Sequence, residues 1–357
     1  MLRILGRSFT TRSWRGGASS DAGRSWRGGN SDVSRSWKSR EGGGGASADN
    51  GRSWKSNNAD SSRSWKGREG GGSKRSFDFK RKSEPSEAAP VVPGEPLHGI
   101  HGVRQALRCN MRTFHQLMLR DTNGQSAAAA KKASAEDDKH LKEIKALALE
   151  YGIPVTYESK WTLNHVTEDK PHQGVVLFAD PVALPLFDAQ EPPVMAEGSR
   201  PPVILALDEI HDAQNFGAVL RSAYFLGAHA VLTSTRNNAP LSAAVLRASV
   251  GASEVLAHEC RLFETPNMHQ ALATSQQLGW TVVGACSGAK AISSAAYDLS
   301  KPTILVVGNE HRGLKPVIRR CCDDILTIPG GAQDDTSAVD SLNVSVATGI
   351  LLYQLLH

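Results

Sequence analysis

Three short segments in the C-terminal half of the chain carry side chains that could clamp an anion and position a hydroxyl group. Their polar members are Asn215, Arg221, Glu310, Ser341 and Asn343. An arginine presents a planar fork of donors that can hold a phosphate and a developing oxyanion. A carboxylate can orient such an arginine, and hydroxyl and amide groups can bind a polar ligand. The segments therefore contain residue types that could bind a polar or anionic ligand.

The same segments contain residues suited to the wall of a ligand pocket. Gly308 lets a backbone approach closely because it has no Cβ, and Ile328 and Leu342 supply apolar surface. A plain structural role stays open for every position. An apolar residue can be core, an asparagine or serine can cap a helix, and a charged residue can be solvated.

Alternating strands and helices from residue 203 onwards position these segments. Hydrophobic periodicity predicts strands at 203–207, 230–232, 281–285, 303–307 and 324–328. It predicts helices at 216–226, 241–250, 267–278 and 341–356, the first of them capped by Asn215. This alternation indicates a mainly parallel sheet, and ligands of such sheets bind where the strands end. All three segments follow a predicted strand.

A second, smaller α/β unit is predicted at 97–187, before a linker at 188–202 that is rich in Pro, Glu and Ala. Its predicted elements are helices at 103–108 and 127–149, strands at 112–119 and 153–157, and a strand after the turn at 172–174. A unit of this size can hold its own core.

Composition and missing motifs argue against several classes of protein. No G-x-G-x-x-G motif follows a strand and no G-x-x-x-x-G-K-[ST] motif exists, which disfavours a Rossmann oxidoreductase and a P-loop NTPase. Five cysteines without a C-x-x-C pair disfavour a disulfide scaffold and a cysteine-rich zinc site. No apolar run approaches the roughly 18 residues of a spanning helix. We also expect no metal, because no His, Cys and carboxylate cluster shows ligand spacing along the chain.

The first 90 residues differ in charge from the rest of the chain. They contain 19 Lys and Arg against 9 Asp and Glu, whereas the remaining 267 residues contain 22 against 27. No acid precedes Asp21, and the start is rich in arginine and hydroxyl residues. This composition is typical of a mitochondrial transit peptide, which we place at 1–16.

A low-complexity repeat follows. Arg-Ser-Trp recurs at Arg12, Arg24, Arg35, Arg52 and Arg63. Such a segment buries too little apolar surface to order itself, so we predict disorder over 17–96. Its tryptophans could stack on bases beside cations that meet phosphates, and a spacer without a selected role is the alternative.

The three segments resemble the motifs of the SpoU class of RNA ribose methyltransferases, in that family's order. Residues 215–223 resemble the first motif, 308–314 the second, and 328–329 with 341–347 the third. A match at 248–252 is weaker. The small unit, with Gly102-Val103 and His172-Gln173-Gly174, resembles the substrate-binding domain of this family. The resemblance covers about residues 97–357.

The resemblance implies a trefoil-knotted α/β methyltransferase domain at 203–357 that binds S-adenosylmethionine in the knot. It implies an RNA substrate-binding domain at 97–187 and a homodimer. With the basic start, it implies 2′-O-methylation of a guanosine ribose in large-subunit rRNA in the mitochondrial matrix. The last predicted helix is apolar nearly all round, so we expect the domain or a partner subunit to cover most of its faces.

The resemblance also implies roles for single residues. Arg221 is the catalytic arginine, and because an arginine side chain keeps its proton in proteins we expect a clamp on phosphate and oxyanion rather than a base. The other implied catalytic residues are Asn215, Glu310, Ser341 and Asn343, and the implied cofactor-binding residues are Gly308, Ile328 and Leu342. The stretch between Pro329 and Ser341 is longer and more acidic than the family's short loop.

Three other functions stay open at this point. A tRNA enzyme of the same class would carry the same motifs. A non-catalytic RNA-binding assembly factor could use the same fold, although the intact polar residues weigh against it. A nucleotide-binding oxidoreductase is more distant. Because the chain beyond residue 90 is net acidic, RNA contact must rest on a local basic patch or on the N-terminal segment.

Removing residues 1–16 is expected to abolish mitochondrial import, because this acid-free, arginine-rich stretch is the predicted targeting signal. The measurement is the location of tagged full-length and truncated proteins after cell fractionation. Deletion of residues 17–90 is the control and should leave import unchanged. Normal import without residues 1–16 would contradict the assignment.

Overall fold

The computed structural model describes residues 92–121, 135–288, 291–331 and 341–357. They belong to one compact unit, 81–357. The predicted transit peptide, the Arg-Ser-Trp repeats, residues 127–134 of a predicted helix and most of the acidic loop before Ser341 lie outside the described residues. Within the described ranges, no helix is both long and apolar enough to cross a membrane.

The smaller of two sheets has four strands in the order β1-β4-β2-β3, and only the β2–β3 pair is parallel. Its strands are β1 Glu95–His98, β2 Phe114–Arg120, β3 Val155–Glu158 and β4 Val175–Ala179. Its helices are α1 Ile100–Cys109, α2 Ala135–Glu150 and α3 Lys160–Val166. Strand β1 begins at Glu95, so the predicted disordered segment, 17–96, was wrong at its C-terminal end. Pro96 hid this strand from sequence analysis, and proline is tolerated there because β1 is an edge strand.

The larger sheet has seven strands in the order β7-β6-β5-β10-β8-β11-β9, and every pair is parallel. Its strands are β5 Val203–Leu207, β6 Ala230–Ser234, β7 Leu262–Thr265, β8 Thr281–Ala285, β9 Ile292–Ser293, β10 Thr303–Val307 and β11 Asp324–Thr327. Its helices are α4 Ala213–Leu226, α5 Ala243–Ala248, α6 Ala252–His258, α7 Met268–Gln277, α8 Pro316–Arg320 and α9 Val344–Leu356. The predicted parallel α/β fold is confirmed, while the trefoil knot stays a prediction.

The order of the central strands creates a switch point in the larger sheet. The chain runs outwards from β5 to β6 and β7, and it later returns to insert β10 between β5 and β8. Both β5 and β10 are buried at every position, as expected for strands covered on both faces. They end level with each other, since Leu207 pairs with Val307. A ligand crevice is expected at this edge.

The predicted helix at 241–250 corresponds to α5, whereas α6, which follows it, was not predicted. Val250 and Gly251 take left-handed conformations, with φ of 54° and 86°, and this turn ends one helix before the next begins. A Cβ at Gly251 would overlap the side chain of Gln105 on α1. The glycine therefore serves both the turn and the approach of α1.

The two sheets are joined by a shared core and a buried ion pair. Ala243 and Leu246 of α5 belong to the same hydrophobic cluster as the strands of the smaller sheet. Arg112, just after α1, places Nη2 2.7 Å from Oε1 of Glu254 on α6, and both side chains are almost fully buried. Two further donors of Arg112 bond backbone carbonyls at 3.0 and 3.1 Å. The guanidinium thus links elements from both sheets.

The last helix, α9, is buried on one side only. Its buried residues are Thr348, Leu351, Leu352 and Leu355. Val346 and Tyr353 on the other side are 50% and 60% exposed. The rest of this domain therefore does not cover α9 on most faces, and the part of the prediction that needs a partner subunit stays open.

Replacing Arg112 by methionine is expected to lower the free energy of unfolding by about 3–5 kcal/mol, because Glu254 would be left as a buried charge without its partner. Chemical denaturation measures this loss. Lys170→Met is the control, since it breaks an exposed ion pair with Glu168 and should leave the unfolding midpoint unchanged. Equal stability of the Arg112 variant would show that the pair contributes nothing to the union of the sheets.

Candidate active site

A cavity of about 470 Å³ opens where β5 and β10 end and α9 begins. Its lining residues are His211, Asp212, Asn215, Glu310, His311, Ser341, Leu342, Asn343 and Val344. Five residues proposed from sequence line it together, and they come from all three motif segments. Such a volume is within the range of small-molecule sites in proteins.

Asp212, and not Asn215, caps α4. The Asp212 carboxylate accepts a hydrogen bond from the backbone N–H of Asn215 at 2.7 Å, and the helix begins at Ala213. The predicted cap was wrong because periodicity marks the first apolar residue, Phe216, whereas the helix extends one further turn over polar residues. An aspartate three positions before Asn215 was the available signal. The amide of Asn215 is consequently free to make a tertiary contact.

That contact joins the first and third segments. Nδ2 of Asn343 donates to Oδ1 of Asn215 at 3.0 Å, across 128 positions of sequence. Oδ1 of Asn343 accepts from the backbone N–H of Ser345 at 2.9 Å and from its hydroxyl at 2.6 Å. Asn343 therefore caps α9, which begins at Val344 rather than at the predicted residue 341. One amide orders the start of α9 and ties it to α4.

The second segment forms a tight loop around the side chain of Asn309. Its Oδ1 accepts from the backbone N–H groups of His311 and Arg312, both at 3.0 Å. Its Nδ2 donates to the carbonyl of Glu209 at 3.0 Å and to Oε2 of Glu310 at 3.3 Å. These bonds hold the carboxylate of Glu310 at the cavity wall.

Gly308 is buried beneath this loop and does not line the cavity. A Cβ at this position would overlap the backbone carbonyl of Gly313. The close approach predicted for Gly308 is therefore made by the chain's own backbone. A side chain at position 308 would therefore displace the loop 308–313 and would not project into the cavity.

Glu310 presents an acceptor that the described residues leave unused. Its Oε1 is buried and has no hydrogen-bond partner in the described part of the chain. A carboxylate oxygen accepts only, unless it is protonated, and leaving a buried polar atom unpaired costs about 1–3 kcal/mol. A donor on a ligand in the cavity would remove this cost.

Two neighbouring acids after β5, the buried Asp208 and the partly buried Glu209, were missed by sequence analysis. Burial raises the pKa of Asp208, although Lys315 opposes the shift from 3.4 Å. A hydrogen bond from Lys315, at 3.0 Å, lowers the pKa of Glu209. Glu209 has a left-handed φ of 63°, which a non-glycine residue adopts only when its surroundings hold it. Lys315 thus braces the loop that carries Glu310. The available signal was a pair of acids directly after a strand.

Arg221 lies outside the cavity, on the exposed side of α4. It stands about 9 Å along the helix axis from Asn215 and about 120° around it, by ideal helix geometry. Ala218 and Phe225 share its stripe, and Phe225 is 85% exposed. Ile328 also lies away from the lining and packs against the main core of the larger sheet.

The electrostatic character of the cavity is set by two helix N-termini, two carboxylates and several neutral polar side chains. The first residues of α4 and α9 both face it, and helix N-termini carry partial positive charge. Asp212 and Glu310 add carboxylates, while Asn215, Ser341 and Asn343 add neutral polar groups. The site can therefore bind a polar ligand that carries both donors and acceptors.

Two family models match this chain. The SpoU rRNA Methylase family matches residues 202–353, and the RNA 2′-O ribose methyltransferase substrate binding family matches residues 96–185.

Individual proteins are similar over most of the same region. The mitochondrial rRNA methyltransferase 1 of Schizosaccharomyces pombe is 33% identical, over 74% of this chain and 90% of its own. The 23S rRNA (guanosine-2′-O-)-methyltransferase RlmB of Pseudomonas aeruginosa is 32% identical, over 74% of this chain and 96% of its own. The AdoMet-bound rRNA methyltransferase of Sinorhizobium meliloti shares the fold, with a TM-score of 0.56 and 22% identity over 73% of this chain and 86% of its own.

The amide bridge is expected to appear as coupling between Asn215→Ala and Asn343→Ala. Asn343→Ala alone should cost about 1 kcal/mol for the lost cap. Because the bridge is already broken in either single variant, the double variant should lose about 0.5–1.5 kcal/mol less than the sum. Chemical denaturation of the four proteins measures this. Asn267→Ala removes the cap of α7 and serves as the control partner, since its loss should add to that of Asn215→Ala. Additivity for Asn215 and Asn343 would contradict the bridge.

Proposed function

The chain belongs to the SpoU family of rRNA methylases, and on this basis we propose that it transfers a methyl group from S-adenosylmethionine to the 2′-hydroxyl of an rRNA ribose. The observation that carries the proposal is the meeting of Asn215, Glu310 and Asn343 in one cavity at the switch point of the sheet. S-adenosylmethionine supplies the methyl group on a sulfonium centre.

The cavity fits this cofactor in size and in chemistry. Leu342 is half exposed at the wall and offers apolar surface. The unpaired Oε1 of Glu310 can accept a hydrogen bond from an amino or hydroxyl group. The loop 308–313 and the start of α9 supply backbone groups beside it. We therefore assign Leu342 and the loop of Gly308 to cofactor binding, with Ile328 supporting them from the core.

The residues of the chain hold the acceptor and the charge that develops on it. A ribose hydroxyl is a weak nucleophile at neutral pH, so a neighbouring group must polarise it. Ser341, Asn343 and Asn215 can hold the hydroxyl in place, and orientation alone contributes much of the rate of such transfers. Arg221 would clamp the adjoining phosphate and the oxyanion.

The position of Arg221 is explained if the protein is a homodimer. The face of α4 that carries Arg221 borders a groove of about 610 Å³ between α4 and α9. This groove is lined in part by Ala218, Gly349 and Tyr353. A Cβ at Gly349 would meet only Ser222 Oγ, at 3.9 Å, so packing within the chain does not require glycine there. A second copy seated on this face would cover the exposed side of α9 and bring Arg221 to the interface. From there it could serve the cavity of the partner.

The proposed RNA target, cellular location and domain boundaries rest on similar proteins and on the N-terminal sequence. The names of the relatives support a guanosine of large-subunit rRNA as the target, and a mitochondrial site of action. The acid-free, arginine-rich start supports import into the matrix. The ranges matched by the two family models support the division into domains at 97–187 and 203–357 with a linker at 188–202.

Arg221→Ala is expected to slow methyl transfer by about 10²–10³-fold while leaving the fold and cofactor affinity unchanged, because it removes one electrostatic contact of the transition state. Arg221→Lys should recover little, since a point charge does not replace the planar fork. Single-turnover transfer to an rRNA transcript measures the rate, and calorimetry measures cofactor binding.

Arg320→Ala, which removes an exposed arginine at the end of α8, is the matched control and should transfer methyl groups normally. Near-normal turnover of Arg221→Ala would remove this residue from the mechanism. Loss of cofactor binding together with activity would assign it a structural role instead. Transfer to a tRNA transcript but not to rRNA would overturn the proposed substrate.

A further inference from the structure

A cluster of metal-ligand side chains lies between α1 and α2, in the smaller unit. His101 comes from α1, and Asp137 and His140 come from α2. Each offers one ligand atom, and these three atoms lie within 4.8 Å of one another. None of the three lines the cavity assigned to methyl transfer, so the cluster has no part in that site.

His140 shows that the cluster is more than a chance meeting of surface residues. Its side chain is buried, with 7% of the residue exposed, and its Nδ1 has no hydrogen-bond partner among the described residues. Unpaired polar atoms are rare in protein interiors, and a bound ion can supply the partner that such an atom lacks. The ring of His101 meets that of His140 edge-on, with centroids 5.2 Å apart.

The arrangement on the two helices suits a shared ion. Asp137 and His140 are three positions apart and therefore lie on the same face of α2. His101 is exposed and leaves a path from solvent. One turn further along, Glu143 lies 3.0 Å from Arg104 and also pairs with Arg108. Arg104 and Arg108 are thus already paired with a carboxylate.

We propose that His101, Asp137 and His140 bind a zinc ion that fastens the first turn of α2 to α1. Two imidazoles and one carboxylate are a known zinc ligand set, and water can complete a tetrahedral site. Zinc suits the cluster because imidazole is a preferred ligand and because its filled d shell imposes no fixed geometry on two separate helices. The ion would link the two helices, and methyl transfer would be independent of it because none of its ligands lines the cavity.

A zinc ion at this site would strengthen the packing of the smaller unit against the larger sheet. Helix α1 contacts α5 and α6 directly, since Gly102 packs against Leu246 and Gln105 against Gly251. Fixing α2 to α1 therefore fixes it to the helices of the larger sheet. The expectation from sequence that no metal cluster exists considered spacing along the chain, whereas His101 joins Asp137 and His140 only through the packing of α1 against α2.

The test uses the full chain, stripped of metal and titrated with zinc chloride in a calorimeter. His101→Ala should either bind one zinc ion fewer than the wild-type protein or bind that ion at least about 10-fold more weakly. Loss of a direct ligand should have at least this effect, since changes to outer-shell residues already lower metal affinity by about 10–100-fold. Asp137→Asn should show the same loss. Because His101 is exposed, its removal should not prevent folding, which circular dichroism checks. His165→Ala, an exposed histidine on α3, is the matched control and should bind zinc as the wild type does.

Two further readouts do not depend on activity. Zinc should raise the melting temperature of the wild type and of His165→Ala, but not that of His101→Ala. Cobalt in place of zinc should give the intense visible bands of a tetrahedral site without the charge-transfer bands of thiolate ligands. Equal zinc binding by the wild type and His101→Ala would overturn the proposal, and a thiolate spectrum would do so by placing the ion on cysteines.

Discussion

The pairing of β10 with β5 is the constraint on which the rest of the site depends. These strands are separated by almost 100 positions, yet they run parallel and end level at Leu207 and Val307. The backbone N–H of Asp208 continues the ladder by donating to the carbonyl of Val307 at 3.0 Å. Because of this register, the loop before α4 and the loop that carries Glu310 leave the sheet side by side. A slip of one residue would turn every buried side chain of β10 to the opposite face.

Side-chain amides then fix what the sheet has brought together. Asn309 orders its own loop and bonds the carbonyl of Glu209, whose left-handed backbone is held further by Lys315. Asn343 caps α9 and bonds Asn215 of α4. Amides suit these positions because each carries donors and an acceptor, so one side chain can satisfy a helix end and reach a second element. The carboxylate of Glu310 is the group that these contacts leave available for a ligand.

The smaller unit is not a loosely tethered attachment to the larger sheet. Arg112 and Glu254 are almost fully buried, and the cluster that holds the smaller sheet extends to α5. Removing either charge would leave the other buried without a partner. Because the pair joins elements of both units, it opposes their separation. A ligand held by the smaller unit would consequently be presented to the cavity at a fixed distance and angle. Such fixed placement is what an in-line transfer to one ribose requires.

The sequence by itself determined the parallel α/β fold and five of the nine residues that line the cavity. Strands β5, β8 and β10 have the predicted bounds, because buried apolar runs between polar loops are a local signal. The three segments follow strand ends, and their resemblance to the SpoU motifs predicted Asn215, Glu310 and Asn343. Tertiary structure alone decided which partners these groups have. It brought Oδ1 of Asn215 on α4 to Nδ2 of Asn343 at the start of α9.

The tertiary structure also set Arg221 on the exposed side of α4, away from the cavity, and brought His101 to Asp137 and His140. These contacts depend on the direction in which a helix face points and on which helix packs against it. Spacing along one chain does not encode either, because both follow from the joint packing of distant segments.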